Sequence, residues 1–142
     1  MSTGTPIVQL VALPCDAAAL LAWTAARDHV AAALGFAPAA VPAGVVRVWR
    51  LLAANNREVA RSAELFDSLA AALDAATQVQ ERWADLEPAT FHGPATASHG
   101  WAASIDGRLA LTCSRWYETG PISMDACRAS IASLRTAQIT RQ

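Results

Sequence analysis

Asn55-Asn56-Arg57-Glu58-Val59-Ala60-Arg61-Ser62-Ala63-Glu64-Leu65-Phe66 is echoed, 51 positions on, by Asp106-Gly107-Arg108-Leu109-Ala110-Leu111-Thr112-Cys113-Ser114-Arg115-Trp116-Tyr117. Each stretch opens on a turn-forming pair followed by arginine. A short apolar strand comes next, then a small hydroxyl or thiol residue, then an aromatic. Internal repetition bears on architecture before it bears on chemistry. Asp106-Gly107 is a strong signal for a two-residue hairpin turn, and Asn55-Asn56 predicts the same type I′ turn, because asparagine tolerates positive φ. Trp49 precedes the first turn much as Trp101 precedes the second, with one residue dropped between strand and turn.

Outward from these hairpins, Val45 to Ala54 and Arg57 to Ser62 read as the strands of the first copy. Gly100 to Ile105 and Arg108 to Ser114 read as those of the second. Ser68 can cap a helix marked by Leu69, Leu73, Ala76 and Val79, ending near Trp83 or Asp85. Ser123 or Asp125 starts the last helix, with Cys127, Ile131 and Leu134 on its inner side. Ile7 to Leu13 is an apolar, β-branched run closed by Pro14. Asp16 is a candidate N-cap for a helix to Leu34, stopped by Gly35, with Leu20, Trp23, Val30 and Leu34 as its apolar stripe and Arg27 on the other side. Residues 35–44 and 86–98, rich in proline and glycine, read as loops.

A single strand-turn-strand-helix unit cannot bury both its sheet face and its helix stripe, whereas two units side by side can. The expected fold is α+β: tandem ββα repeats forming a four-stranded antiparallel sheet with helices packed on one face, plus an N-terminal strand and helix that extend that layer. The expected organisation is one compact domain, with an extension over 1–44, a first repeat over 45–85 and a second over 99–137. Trp49, Asn55, Phe66, Asp106, Gly107 and Tyr117 are the expected structural positions. Phe66 and Tyr117 share a register and should anchor each hairpin to its helix.

The chain has 142 residues, 54% of them hydrophobic, and roughly a quarter are alanine. Alanine buries little area, so the core must rely on a few large side chains, the five tryptophans foremost. Every basic residue is arginine. The net charge of −1 argues against nucleic acid as a partner. Three scattered cysteines do not make a disulfide framework, and the N-terminus lacks a basic signal region, which together suggest a cytoplasmic protein. Arg27, Asp28 and His29 interrupt the apolar stretch from Ala17 to Leu34, which argues against membrane insertion.

The pattern Trp49-Arg50-Leu51-Leu52-Ala53-Ala54-Asn55-Asn56-Arg57-Glu58-Val59-Ala60-Arg61-Ser62 with Phe66, and Asp106 to Cys113 with Tyr117, resembles the YegP-like family. These are small bacterial and archaeal proteins built from one or two ββα units. The resemblance covers about residues 45–137. It departs at Asn56, where the family has glycine, at Cys113, where it has serine, and at the inserted Gly120-Pro121. It implies a fold and brings no established activity.

Chemistry has little to stand on in this chain. His92 and His99 are seven apart without ligand spacing, so neither a metal nor a cofactor is expected. His29 beside Asp28 reads as a solvated or locally paired histidine. Cys113 occupies the position of Ser62, which points to packing. Arg50, Arg57, Arg61, Arg108 and Arg115 fall on or beside the hairpins. If some share an exposed sheet face with tryptophan, they form anchors of the kind interfaces favour. The candidate interaction residues are Arg50, Arg61, Trp101, Arg115 and Trp116. The resulting expectation is a non-catalytic structural or interaction module that offers a sheet face or edge, and the N-terminal helix, to a protein partner or to itself. The alternative is a small enzyme or ligand binder with a pocket between the N-terminal segment and the repeats, where Cys113, His92 and His99 are the first residues to test.

Overall fold

A computed structural model describes residues 4–13, 18–38 and 40–140. Pro14, Cys15, Asp16 and Arg141 lie outside the described residues, so the capping role expected of Asp16 does too. The elements are β1 (Ile7–Leu13), α1 (Ala18–Leu34), β2 (Val46–Leu52), β3 (Glu58–Ser62), α2 (Leu69–Glu81), β4 (Glu87–His92), β5 (His99–Ile105), β6 (Arg108–Cys113), α3 (Gly120–Thr136) and β7 (Gln138–Thr140). A single 3-10 turn, Trp83–Asp85, follows α2.

The α+β class holds, but the sheet has seven strands instead of four, in the order β4-β5-β6-β3-β2-β1-β7. The added strands have physical reasons. β1 pairs with β2 along its whole length, from Ile7 opposite Leu52 to Leu13 opposite Val46. β4 lies in the stretch expected to be loop. Pro88 suggested a break, but an edge strand pairs on one side only and accommodates a residue without an N–H. β7 adds a short parallel strand beside β1.

The centre of the sheet is the antiparallel β3–β6 pair. Ala60 lies opposite Cys113, Arg61 opposite Thr112 and Ser62 opposite Leu111. Features of the two hairpins recur, 52 positions apart on the first strand and 51 on the second. Arg47 and Phe66 exchange two backbone hydrogen bonds of 2.7 and 2.8 Å, and His99 and Tyr117 exchange two of 2.8 Å. The backbone N–H of Trp49 donates to Ser62 Oγ (3.1 Å), and that of Trp101 to Cys113 Sγ (3.4 Å). Ser68 caps α2 by accepting from the Ala71 N–H, and Thr119 caps α3 by accepting from the Ile122 N–H. The last helix thus begins earlier than Ser123, with Pro121 in its first turn, where a missing N–H costs nothing.

The two turns differ. Asp106 and Gly107 both have positive φ (53° and 75°), as a type I′ hairpin requires. In the first copy the Asn56 N–H returns to the Ala53 carbonyl (2.8 Å), and positive φ falls on Asn56 (70°) but not on Asn55. The expected Asn55-Asn56 turn is therefore a longer one, with Ala54 and Asn55 at its tip. The Asn55 side chain accepts from the Arg57 N–H (3.1 Å). This extra residue accounts for the one-position slip between Trp49 and Trp101.

Alternation along the strands sorts the core into two layers. Val8, Leu10, Trp49, Leu51, Ala60, Trp101, Ala103 and Ile105 face α2 and α3, and pack with Ala72, Ala76, Cys127 and Leu134. Gln80 of α2 fastens the two helices by donating to the carbonyls of Leu134 (3.0 Å) and Ala137 (2.7 Å). The opposite face is apolar as well. Leu13, Val46 and Val48 pack against Leu20 and Trp23 of α1, while Phe91, Ala102 and Leu109 pack against Val30 and Ala31. A sheet apolar on both faces needs cover on both. So α2 and α3 share one face as expected, whereas α1 covers the other and does not extend their layer. Arg27, expected on the outer side of α1, is buried beneath it and donates to the carbonyls of Ala63 (2.9 Å) and Ala37 (2.7 Å).

Candidate functional site

Of the five candidate interaction residues, Trp101 falls away. It is fully buried, on the face that packs against α2 and α3. Its strand alternates between two covered faces, so no Trp101 surface remains for a partner. Arg50, Arg61, Arg115 and Trp116 are at least partly accessible.

Arg50 and Arg61 lie opposite each other on β2 and β3, on the α1 side of the sheet. Glu58 stands between them, receiving Arg61 Nε at 2.6 Å and Arg50 Nη1 at 3.3 Å. Arg50 Nε also donates to Gln9 Oε1 at 2.6 Å. Burial acts to raise the pKa of Glu58, but hydrogen bonds from Arg61 and Arg50, with the charge of Arg61, outweigh it and hold the carboxylate below its ordinary range. The Arg61 guanidinium lies over the Trp23 ring of α1, 4.6 Å from its centroid.

Next to Arg61 is a cavity of about 130 Å³ between α1 and the sheet. Trp23, Val30, Phe91 and Trp116 form apolar walls, with Arg61 and Thr112 also lining it. Trp116 is 42% exposed and packs edge-on against Phe91 and His29, at centroid distances of 5.8 and 5.9 Å. Two glycines make room for it. A Cβ on Gly93 would come 2.7 Å from the Trp116 ring, and one on Gly100 would come 2.6 Å from Phe91. Arg115 lines the same cavity, with its guanidinium 5.2 Å from the Tyr117 ring centroid. Arg61, Arg115 and Trp116 are thus brought together, and Arg50 joins through Glu58.

Trp23, Phe91, Gly93 and Gly100 did not stand out in the sequence as parts of a site. The only signal was the presence of large aromatics in an alanine-rich chain. A larger cavity of about 240 Å³ lies beside residues 36–38, but its charged groups are engaged. Arg27 holds two backbone carbonyls there, and Arg108 pairs with Glu64 at 3.1 Å.

His92 and His99 are cross-strand neighbours with ring centroids 4.6 Å apart, and His29 Nε2 lies 3.4 Å from the His92 carbonyl. Among the described residues no group of three or more histidine, cysteine, aspartate or glutamate side chains could hold a metal ion. Burial pushes the Cys113 thiol up, and that of Cys127 up to about 12, so both are neutral thiols at neutral pH. At the second turn, Arg82 grips both Asp106 oxygens, at 2.5 and 3.1 Å. Those hydrogen bonds hold Asp106 below the usual carboxylate range. Among the described residues no helix is long and apolar enough to cross a membrane.

No family model matches the chain, and no curated protein matches it. Among solved structures, the chain is similar to the solution NMR structure of yegP, a protein of unknown function from E. coli. The identity is 14% over 68% of this chain and 82% of that chain, with a TM-score of 0.44. This neighbour bears the family name that the hairpin motif resembles. The fold described above rests on the strand order and registers themselves.

Proposed function

We propose that this chain is a non-catalytic binding module of the YegP-like type, working in the bacterial cytoplasm. Residues 45–85 and 99–137 are its duplicated repeats, and 1–44 is an extension that carries the docking surface. β1 and β4, each antiparallel to the first strand of a hairpin, add a third strand to each repeat.

The observation that carries this reading is the outer side of α1. Leu21 is 67% exposed there, and Ala22, Ala25, Ala32 and Ala33 are exposed with it. Small apolar side chains let a second helix approach closely, and a leucine supplies the anchor. Both sheet faces are covered, so the helix takes the role that the sheet face was expected to share. The neutral thiols of Cys113 and Cys127 favour binding over turnover.

A photo-crosslinking residue at position 21 should give one discrete protein adduct in the native host. The same residue at position 125, on the exposed side of α3, should give none. Equal labelling at both positions, or none at either, overturns the reading. The cavity behind α1 favours a second activity, small-ligand binding.

A further inference from the structure

The cavity between α1 and the sheet has a charge arrangement that packing does not require. Two guanidiniums, those of Arg50 and Arg61, share one carboxylate, Glu58, and a third, that of Arg115, lines the cavity beside Arg61, in a chain whose net charge is −1. Glu58 occupies Arg61 Nε, and Trp23 occupies one face of the guanidinium. The two terminal nitrogens of Arg61 have no acceptor among the described residues. Arg115, also lining the cavity, has no ion-pair partner among them either. A guanidinium anchored on one side, with two parallel donors free on the other, is preorganised to take a planar carboxylate through two hydrogen bonds.

The walls define the rest of the ligand. Trp23, Val30, Phe91 and Trp116 flank an open-sided space of about 130 Å³, close to the space that holds one benzene-sized ring. Glu58 nearby disfavours a dianion such as phosphate, because only part of its charge would be compensated. A neutral ring would leave the Arg61 donors unused. We propose that this cavity binds a small monocarboxylic acid with a single-ring or similarly compact apolar body. Its carboxylate would lie on Arg61, with Arg115 as a second cation and Trp116 packing against the ring. Trp116 closes this side of the site, partly exposed and seated closely on Gly93 and Gly100. This goes beyond the docking role of α1 and does not depend on it.

Benzoate is the probe, with benzamide and acetate as controls, followed by calorimetry and by the indole N–H resonances of Trp23 and Trp116. Benzoate should bind saturably at one site and shift both resonances. Benzamide should bind at least about tenfold more weakly, since it cannot form the charge-assisted pair. Acetate should not saturate. Arg61→Met should weaken benzoate at least about tenfold. Because that change also disturbs Glu58, Ala26→Leu serves as a second variant: it fills the cavity from α1 and leaves every charge in place, and it should abolish binding. Equal affinity for benzamide, unchanged binding in Ala26→Leu, or no saturation with benzoate each overturns the proposal.

Discussion

Arg61 and Thr112 lie directly opposite each other at the centre of the sheet, and they are also counterparts of one another in the two motifs, 51 positions apart. Their neighbours pair in the way such a centre demands: Ala60 faces Cys113, the counterpart of Ser62, and Ser62 faces Leu111, the counterpart of Ala60. This reciprocal register is what an approximate two-fold axis through the pair would produce.

The aromatics at the hairpin ends should be equivalent in energy. Phe66 and Tyr117 are each half-buried against the core and each bridged to the start of their hairpin. Truncation of either to alanine should cost about 2–4 kcal/mol by chemical denaturation, below the full cost of a completely buried ring. Tyr117→Phe loses no hydrogen bond seen among the described residues and should be near neutral.

Ser62 and Cys113 accept the same hydrogen bond from the backbone N–H of a buried tryptophan. Ser62→Ala and Cys113→Ala should each cost about 1–3 kcal/mol, because each strands that N–H. Cys113→Ser keeps an acceptor in place and should stay within about 1 kcal/mol. Equal losses for Cys113→Ser and Cys113→Ala would rule out the shared role.

The two turns should respond differently to glycine. Asn56 carries the positive φ, so Asn56→Gly should be tolerated. Asn55→Gly removes the acceptor for the Arg57 N–H and should cost about 0.5–1.5 kcal/mol. A two-residue type I′ turn at Asn55-Asn56 would welcome glycine at both positions, so thermal melts of the two variants distinguish the geometries.

The carboxylate of Glu58 is held below its ordinary value of 4.5 in the folded chain. Its contribution to stability is therefore present above about pH 4.5 and lost as pH falls through the lower folded value. Glu58→Gln should be less stable than wild type at pH 7, and the two should converge as the pH drops below 4.5. A constant gap across the acid range would show that the charge is not what Arg50 and Arg61 hold.

Turn chemistry and periodicity made β1, β2, β3, β5, β6 and all three helices legible, because each rests on local signals. What the sequence hid was set by partners far along the chain. β4 was masked by Pro88, which only an edge position excuses. Trp101 looked available because its strand is apolar on alternate positions, and nothing local says that both faces are covered. Arg27 looked like a surface residue because its acceptors, the carbonyls of Ala63 and Ala37, lie on other segments. The site was half legible for the same reason. Arg61, Arg115 and Trp116 come from the hairpin motifs, whereas Trp23, Phe91, Gly93 and Gly100 meet them only through the placement of α1, β4 and β5.

The central claim is the two-fold pairing of β3 with β6, and cross-strand NOE contacts between these strands measure it directly. The predicted contacts are Arg61 with Thr112, Ala60 with Cys113 and Ser62 with Leu111. A register displaced by even one residue, or a β3 with no contact to β6, would contradict it.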